Sequence, residues 1–475
     1  RTRPRGGGEE AAEETGSAAV SEVSDAALNL RSGYAVPVGG ERHDVAIIGA
    51  GIAGLAASVL LRNAGMRVVC IDARPYPHRK VGESLDWSSP GLLRLVGIDP
   101  DALLADGIAT YKKKIVVCEL GKAEWEAAPP PVIRRSPLRF ETVTLHVDRT
   151  ALDARLYEHA CALGTEFLWE RVTDIRADGD RIVDCSTASG RRIDASWYLD
   201  ASGTARVLSR AMHIPTVAYG QPKVCLWTSF DTPRLYDGTA FFVDNRDAYL
   251  SWVWDIPISP RQTSVGFVLP AQIVRDRPKG GLSVEAMLRE ELLRHPRFRT
   301  LVDGKPVLEI ERTSFQPYVT SRVCGDNWLM VGEAASMPDP LTGNGVTSGI
   351  RHARHATSAI LAAGAGERLS RGERRTYAQH VARLGHSFNS HIEDVIYRHP
   401  IRWGLGLQAA TYIYTLFAFF MNALHARFDP RGRLGMSLFS LLFLGARGWI
   451  AAWTLIARMA LWYRGLTRRG ALVRQ

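Results

Sequence analysis

Asp44-Val45-Ala46-Ile47-Ile48-Gly49-Ala50-Gly51-Ile52-Ala53-Gly54 reads as a short strand running straight into a tight glycine turn. Four consecutive apolar residues, Val45 to Ile48, suit a strand covered on both faces. Gly49, Gly51 and Gly54 follow at the G-x-G-x-x-G spacing. Glycines at these positions allow the turn and let backbone approach a pyrophosphate, whose charge the N-terminus of the next helix stabilises. Leu55 to Ala64 predicts that helix, ended by Gly65. Arg67 to Ile71 predicts a second buried strand. Asp72 at its end is an acid placed to hold the hydroxyls of an adenosine ribose. The unit is a dinucleotide-binding βαβ.

Upstream, residues 1–40 are rich in Gly, Ala, Glu and Ser without apolar periodicity, which predicts a disordered tail. The stretch lacks the apolar core of a secretory signal. Downstream, Thr150 to Leu163 predicts a helix, and Ile175 to Leu199 a small sheet. Strand-like runs between Lys223 and Leu269, among them Tyr249 to Trp254 and Thr263 to Leu269, predict an antiparallel sheet roofing a substrate pocket. Trp328 to Val331 is a further buried strand, and Gly345 to Ala363 a helix.

The chain has 475 residues, 46% of them hydrophobic, enough for a large core. Its six cysteines are scattered with no CxxC pair, which argues against zinc and disulfides and fits a reducing compartment, the cytoplasm. His146, His352, His355 and His391 show no metal-ligand spacing, so no metal is expected. They read as surface or satisfied histidines. A formal net charge of +10 comes without a nucleic-acid-binding module, so no nucleic acid is expected. Such a surface suits anionic lipid or an acidic partner. Trp403 to Ala426 contains no Asp, Glu, Lys or Arg, and arginines flank this and two shorter apolar runs. The region reads as a helical element resting on the inner face of a membrane, or as helices packed over the pocket. Both stay open.

Two later turns point to the flavin dinucleotide. Leu199-Asp200-Ala201-Ser202-Gly203 resembles the D-A-[ST]-G turn of the FAD-dependent monooxygenase superfamily. Gly332-Glu333-Ala334-Ala335 resembles its G-D-A-A motif, with Glu for Asp, a carboxylate one methylene longer. Arg149 and Asp153 match its R-x-x-[FL]-D helix start. The resemblance covers roughly residues 44–363. It implies FAD, contacted by Gly332 and Glu333 and with Arg149 near the phosphates. An ordinary ion pair at the helix start is the alternative for Arg149. The expected fold is α/β: an FAD/NAD-binding three-layer Rossmann-like domain at 41–365. An antiparallel substrate sheet is inserted at about 205–320, and the C-terminal region, 366–475, is helical.

Trp252-Val253-Trp254-Asp255-Ile256-Pro257 is similar to W-x-W-x-I-P of the flavin-dependent halogenases, the tryptophan-halogenase-like branch of that superfamily. On a strand, Trp252 and Trp254 share one face. The resemblance implies that these indoles stand between flavin and substrate, so that halide rather than substrate meets the oxidising flavin. An ordinary aromatic core strand is the alternative. Val81-Gly82-Glu83-Ser84-Leu85 followed by Ala109 to Val116 places the family's catalytic lysine on Lys112. If one strand runs through Lys112, Lys113 and Lys114, the first and third share a face. In Asp339 to Gly345, the backbone of Gly343, Asn344 and Gly345 is the expected halide site, for chloride or bromide. Thr342 stands where tryptophan-specific relatives carry Glu, which argues against free tryptophan as substrate.

No second glycine fingerprint for NADPH is visible, so reduced FAD would come from a separate flavin reductase. The reading is an oxidoreductase of secondary metabolism acting on an electron-rich aromatic or lipid-like small molecule. An FAD-dependent monooxygenase and a geranylgeranyl-reductase-like reductase of a lipid-like alkene remain alternatives, the latter because of the 339–345 loop.

Overall fold

The structure, a computed structural model, describes residues 43–398 apart from 76–80, 120–124, 128–143, 233–235, 247–248, 278–282, 304–308 and 365–367. It adds isolated residues between 452 and 463. The tail expected at 1–40 and the charge-poor run from Trp403 to Ala426 lie outside the described residues.

The βαβ unit forms as the sequence predicts. Strand His43–Ile48 leads through the glycine turn into helix Ile52–Asn63 and strand Val68–Ile71. These strands lie in a five-stranded parallel sheet, in the spatial order Trp328–Met330, Ala195–Asp200, His43–Ile48, Val68–Ile71, Glu166–Leu168. Helix Ile52–Asn63 packs against helices Arg149–Ala162 and Gly345–Ala363. The helical cover explains the apolar runs, since parallel strands are buried on both faces. Asp148 opens helix Arg149–Ala162, accepting from the N–H groups of Thr150 and Ala151.

The stretch read as one small sheet, Ile175 to Leu199, divides. Val172–Asp178, Arg181–Thr187 and Arg192–Ile193 form an antiparallel sheet, whereas Ala195–Asp200 joins the parallel one. Burial separates them: every residue of Ala195–Asp200 is buried, while Val172–Asp178 is largely exposed.

A seven-stranded sheet forms the second half of the molecule. Its spatial order is Glu311–Phe315, Lys223–Asp231, Gln262–Pro270, Tyr249–Pro257, Gly238–Arg246, Lys114–Glu119, Trp125–Ala127. It is mixed, because Gly238–Arg246 pairs parallel with Lys114–Glu119. Two of its strands thus come from upstream of residue 205. One face carries Val116, Leu226, Val253 and Phe267 against helix Val284–Leu293. The other carries, in register, a row of Val117, Phe241, Trp254, Gly266 and Trp227, and beside it a row of Val243, Trp252, Val268 and Cys225. The alternation of Trp252-Val253-Trp254 therefore sends both indoles to the same side.

The single strand expected through the three lysines is broken. Ala109–Lys112 pairs with Thr144–Val147 in a separate ladder, and Lys114–Glu119 belongs to the seven-stranded sheet. The chain changes sheets at Lys113, so the three amines part company. Beyond the parallel domain, Ser370 and Glu373 form a reciprocal cap on helix Arg371–Ala378. Helical turns continue to Tyr397. Among the described residues, no helix is long and apolar enough to cross a membrane.

Candidate active site

One cavity of about 1320 Å³ runs from the glycine turn to the face of the seven-stranded sheet. At its first end, backbone makes the walls. Gly49 has φ +109°, and a Cβ there would sit 2.4 Å from the Ala201 carbonyl oxygen. A Cβ on Gly54 would sit 1.9 Å from the Gly49 oxygen. Only glycine fits either position. Gly51 caps helix Ile52–Asn63 without any side-chain bond to the first-turn N–H groups, and this helix start lines the cavity. The unclaimed N–H groups suit an anionic phosphate. Asp72 lines the cavity and accepts from Ala50 N at 2.8 Å, tying the second strand to the turn.

Arg149, Gly332 and Glu333 line the same end. Arg149 is buried and makes a two-pronged pair with Asp153, at 2.9 and 3.1 Å, while its third nitrogen donates to Val81 O at 3.1 Å. Both readings of Arg149 therefore coexist: it is half of a helix-start ion pair and it faces the cavity. Asp200 differs. It is fully buried and accepts from Ser202 N, Ser202 Oγ and Leu208 N, so it shapes its turn from within. These features fit FAD: two glycine positions with no room for a side chain, an uncapped helix start and an acid at the ribose position.

Gly343, Asn344 and Gly345 border the middle of the cavity. Gly343 has φ +64°, and a Cβ there would sit 2.5 Å from the Ser84 carbonyl oxygen. Helix Gly345–Ala363 starts here, again without a side-chain cap. Asp339 anchors the loop by accepting from Leu341 N at 3.0 Å.

Of the three lysines, Lys112 alone lines the cavity. It is 3% exposed. Its Nζ donates to Ser84 Oγ at 2.9 Å and to Leu85 O at 3.1 Å, and lies 5.9 Å from the Trp87 ring. Burial pushes its pKa down to about 8, against a smaller opposing pull from Asp86. Lys113 is exposed beside Asp237, and Lys114 pairs with Glu126.

Trp252 and Trp254 are 4% and 3% exposed, line the cavity, and have ring centroids 5.6 Å apart. Each indole N–H is held by a partner that the sequence did not reveal. Trp254 Nε1 donates to Ser264 Oγ at 3.1 Å, which donates to Glu83 Oε1 at 3.1 Å. Glu83 also accepts from Gly82 N, and its burial raises its pKa. Trp252 Nε1 donates to Tyr397 OH at 3.0 Å, which donates to Asp339 Oδ1 at 3.0 Å. Asp339 Oδ2 lies 3.3 Å from the buried Lys223 Nζ, which sits 4.2 Å from the Tyr397 ring centroid. One wall indole is thereby tied to the 339–345 loop. Gly266, between Trp254 and Trp227 in its row, leaves room for both rings, since a Cβ there would sit 2.4 Å from Trp254.

Behind Lys112, Ser84 Oγ lies 2.8 Å from Thr239 Oγ1, which lies 2.9 Å from His146 Nε2. Sequence reading missed Thr239, Ser264 and Tyr397 as parts of this assembly, used Glu83 only as part of a turn, and took His146 for a bystander. The available signal was strand alternation, which puts Thr239 on the face of Phe241 and Val243, and Ser264 on the face of Gly266 and Val268.

Comparison with known proteins bears on the family and the fold. The family model for an FAD binding domain matches residues 42–384. The tryptophan 2-halogenase of Chondromyces crocatus is 27% identical over 341 residues, covering 69% of this chain and 62% of that protein. The chain thus spans less than two thirds of that relative's length. The 1H-pyrrole-2-carbonyl-[peptidyl-carrier protein] chlorinase of Pseudomonas fluorescens is 27% identical over 357 residues, covering 68% of this chain and 76% of that protein. Among solved structures, the flavin-dependent brominase Bmp2 shares the fold with a TM-score of 0.66 and 22% identity, covering 86% of this chain and 100% of that one. With the glycine cradle and these matches in hand, the chain belongs to the FAD-binding family and is similar, within it, to flavin-dependent halogenases.

Proposed function

We propose that the chain is a halogenase that uses reduced FAD, O2 and chloride or bromide to halogenate an electron-rich, apolar aromatic substrate through Lys112. The observation that carries this reading is one cavity with the glycine cradle at one end, both indoles on its wall and Lys112 as its lysine. Bound in the cradle and delivered reduced by a separate reductase, FAD supplies the two-electron oxidising equivalent from O2 that converts halide to hypohalous acid.

The residues divide the remaining work. Gly51, Asp72, Arg149, Gly332 and Glu333 would hold the dinucleotide. The uncapped helix start at Gly343 to Gly345 would hold the halide anion. Trp252 and Trp254 keep bulky organic molecules from the cradle, so a small anion reaches the oxidant first. Lys112 Nζ has two hydrogen-bond acceptors as neighbours, Ser84 Oγ and Leu85 O. A neutral amine spends its two N–H groups on them and keeps its lone pair for the cavity. Amine and hypohalous acid give a haloamine and water. The ring then takes the halogen, and the proton it loses returns to Nζ. Ile115, Val117, Phe241, Val243 and Phe388 line the cavity and carry no charge, which suits a neutral substrate.

The test is mass spectrometry of products made with chloride, bromide or neither. Lys112→Met should lose halogenated product by about 100-fold or more, the scale of a missing catalytic group, while reduced flavin is still oxidised. A hydroxylated product formed equally well without halide would instead support the monooxygenase reading.

The same proposal includes peripheral contact with a membrane. Leu455, Ile456, Met459, Trp462 and Tyr463 are exposed at helical spacing; Arg458 lies among them in sequence and Arg464 follows them. Sedimentation with vesicles containing phosphatidylglycerol, and not with phosphatidylcholine alone, is the expected result.

A further inference from the structure

Lys112 is the first member of a buried chain of side chains whose polarity follows from counting protons. Thr110 Oγ1 lies 2.5 Å from the Pro257 carbonyl, which can only accept, so the single Thr110 hydroxyl proton goes there. Thr110 Oγ1 is then the acceptor for His146 Nδ1, 3.3 Å away. A neutral His146 so oriented has a bare Nε2, which accepts from Thr239 Oγ1 at 2.9 Å. With its proton committed, Thr239 accepts from Ser84 Oγ at 2.8 Å, and Ser84 in turn accepts from Lys112 Nζ at 2.9 Å. Every arrow runs from the amine to the imidazole. Lys112, Ser84, Thr239, His146 and Thr110 are all buried.

We propose that Ser84, Thr239 and His146 form a proton relay that strips the Lys112 ammonium inside the cavity. This rests on the reading of Lys112 as the halogen-carrying amine. The step balances. Nζ gives a proton to Ser84 Oγ, the Ser84 proton passes to Thr239 Oγ1, and the Thr239 proton passes to His146 Nε2. Both hydroxyls end as hydroxyls turned back toward the amine, Thr239 donating to Ser84 and Ser84 to Nζ; the imidazolium donates through both nitrogens to Thr239 and Thr110, and the neutral amine frees its lone pair for the cavity when the Ser84 hydroxyl swings off it. No water is required. Asp86 is the charged group that acts on Lys112; it accepts from Thr347 Oγ1 at 2.5 Å and lies 3.9 Å from Arg351. Two groups that share a proton titrate as a pair, so neutral amine persists below the pH at which an isolated amine would lose it. His146 acts through Lys112 and is a positioning and relay residue.

The test uses flavin-free full-length protein, labelled with acetic anhydride between pH 6 and 9. Labelling at Lys112 is read by mass spectrometry as a rate constant at each pH, corrected for hydrolysis of the anhydride. In the unaltered protein, Lys112 labelling should fall clearly less than tenfold per pH unit below pH 8. His146→Gln keeps a hydrogen-bond acceptor but no titrating ring, and Thr239→Val cuts the chain with His146 intact. In both, labelling should fall about tenfold per unit, as for an isolated amine. Thr239→Ser should restore the shallow profile. Identical profiles in all four proteins overturn the relay. The halogenase reading fails separately: if Lys112→Met still halogenates while the labelling profiles differ as expected, the relay stands and the role of Lys112 falls.

Discussion

The two ends of the cavity are built from different materials. At the cofactor end the walls are backbone: glycines at 49 and 54, where any side chain would strike a carbonyl, and a helix start left uncapped. At the chemical end the walls are side chains, and each is held by another side chain from elsewhere in the chain. Ser84 reaches Thr239 across 155 residues, and Trp252 reaches Tyr397 across 145. A backbone site depends on a few local positions and tolerates nothing at them. A side-chain site spreads its dependence over partners, each worth a few kcal/mol at most.

The sharpest break in this comparison is Gly54→Val. Its Cβ would overlap the Gly49 oxygen at 1.9 Å, and neither the turn nor the helix packed on it can yield that far. The variant should fold its antiparallel half yet weaken flavin binding by more than about 150-fold, equivalent to about 3 kcal/mol, the upper range of overpacking costs. Flavin fluorescence titration measures it.

Lys223→Met attacks the side-chain half. Removing the buried ammonium leaves Asp339 without its counter-charge and should cost about 3–5 kcal/mol of stability, read by urea denaturation. Lys223→Met with Asp339→Asn should recover much of that loss, since an uncompensated charge costs more than a missing pair.

The pH profile asks which form of Lys112 works. Burial lowers its pKa to about 8, so raising pH through 8 converts ammonium to amine. Halogenation by the amine should therefore rise several-fold from pH 7 to 9 and then level off. Activity that falls over the same range would assign the work to the ammonium.

The same contrast explains what the sequence made legible. The βαβ unit, the 332–335 turn and helix Gly345–Ala363 are local patterns, and each lies where its residues predict. Trp252 and Trp254 were legible as a pair because strand alternation is also local. Lys112 was legible only through resemblance, and its separation from Lys114 was not, because the change of sheet at Lys113 depends on partners at Thr144–Val147 and Gly238–Arg246. His146 looked like any isolated histidine. Its role emerges only when the strand Thr144–Val147 lies beside Ser84 and faces Thr239. Tyr397 stood in a region readable as helical and no further.

Tyr397→Phe is the smallest perturbation and tests how the indole wall is held. The ring stays, so its stacking on Tyr249, with centroids 5.0 Å apart, is preserved. What goes is one hydroxyl that accepts from Trp252 and donates to Asp339. The loss leaves a buried indole N–H unsatisfied, which costs about 1–3 kcal/mol. Trp252 can recover part of it by turning toward the cavity and away from the 339–345 loop. A loosened wall should leave flavin affinity untouched, since no cradle residue changes, but let oxidising equivalents escape as hydrogen peroxide. The expected result is about a fivefold higher ratio of peroxide to halogenated product, the factor that about 1 kcal/mol buys. An unchanged ratio would mean that packing on the sheet holds Trp252 without its tether.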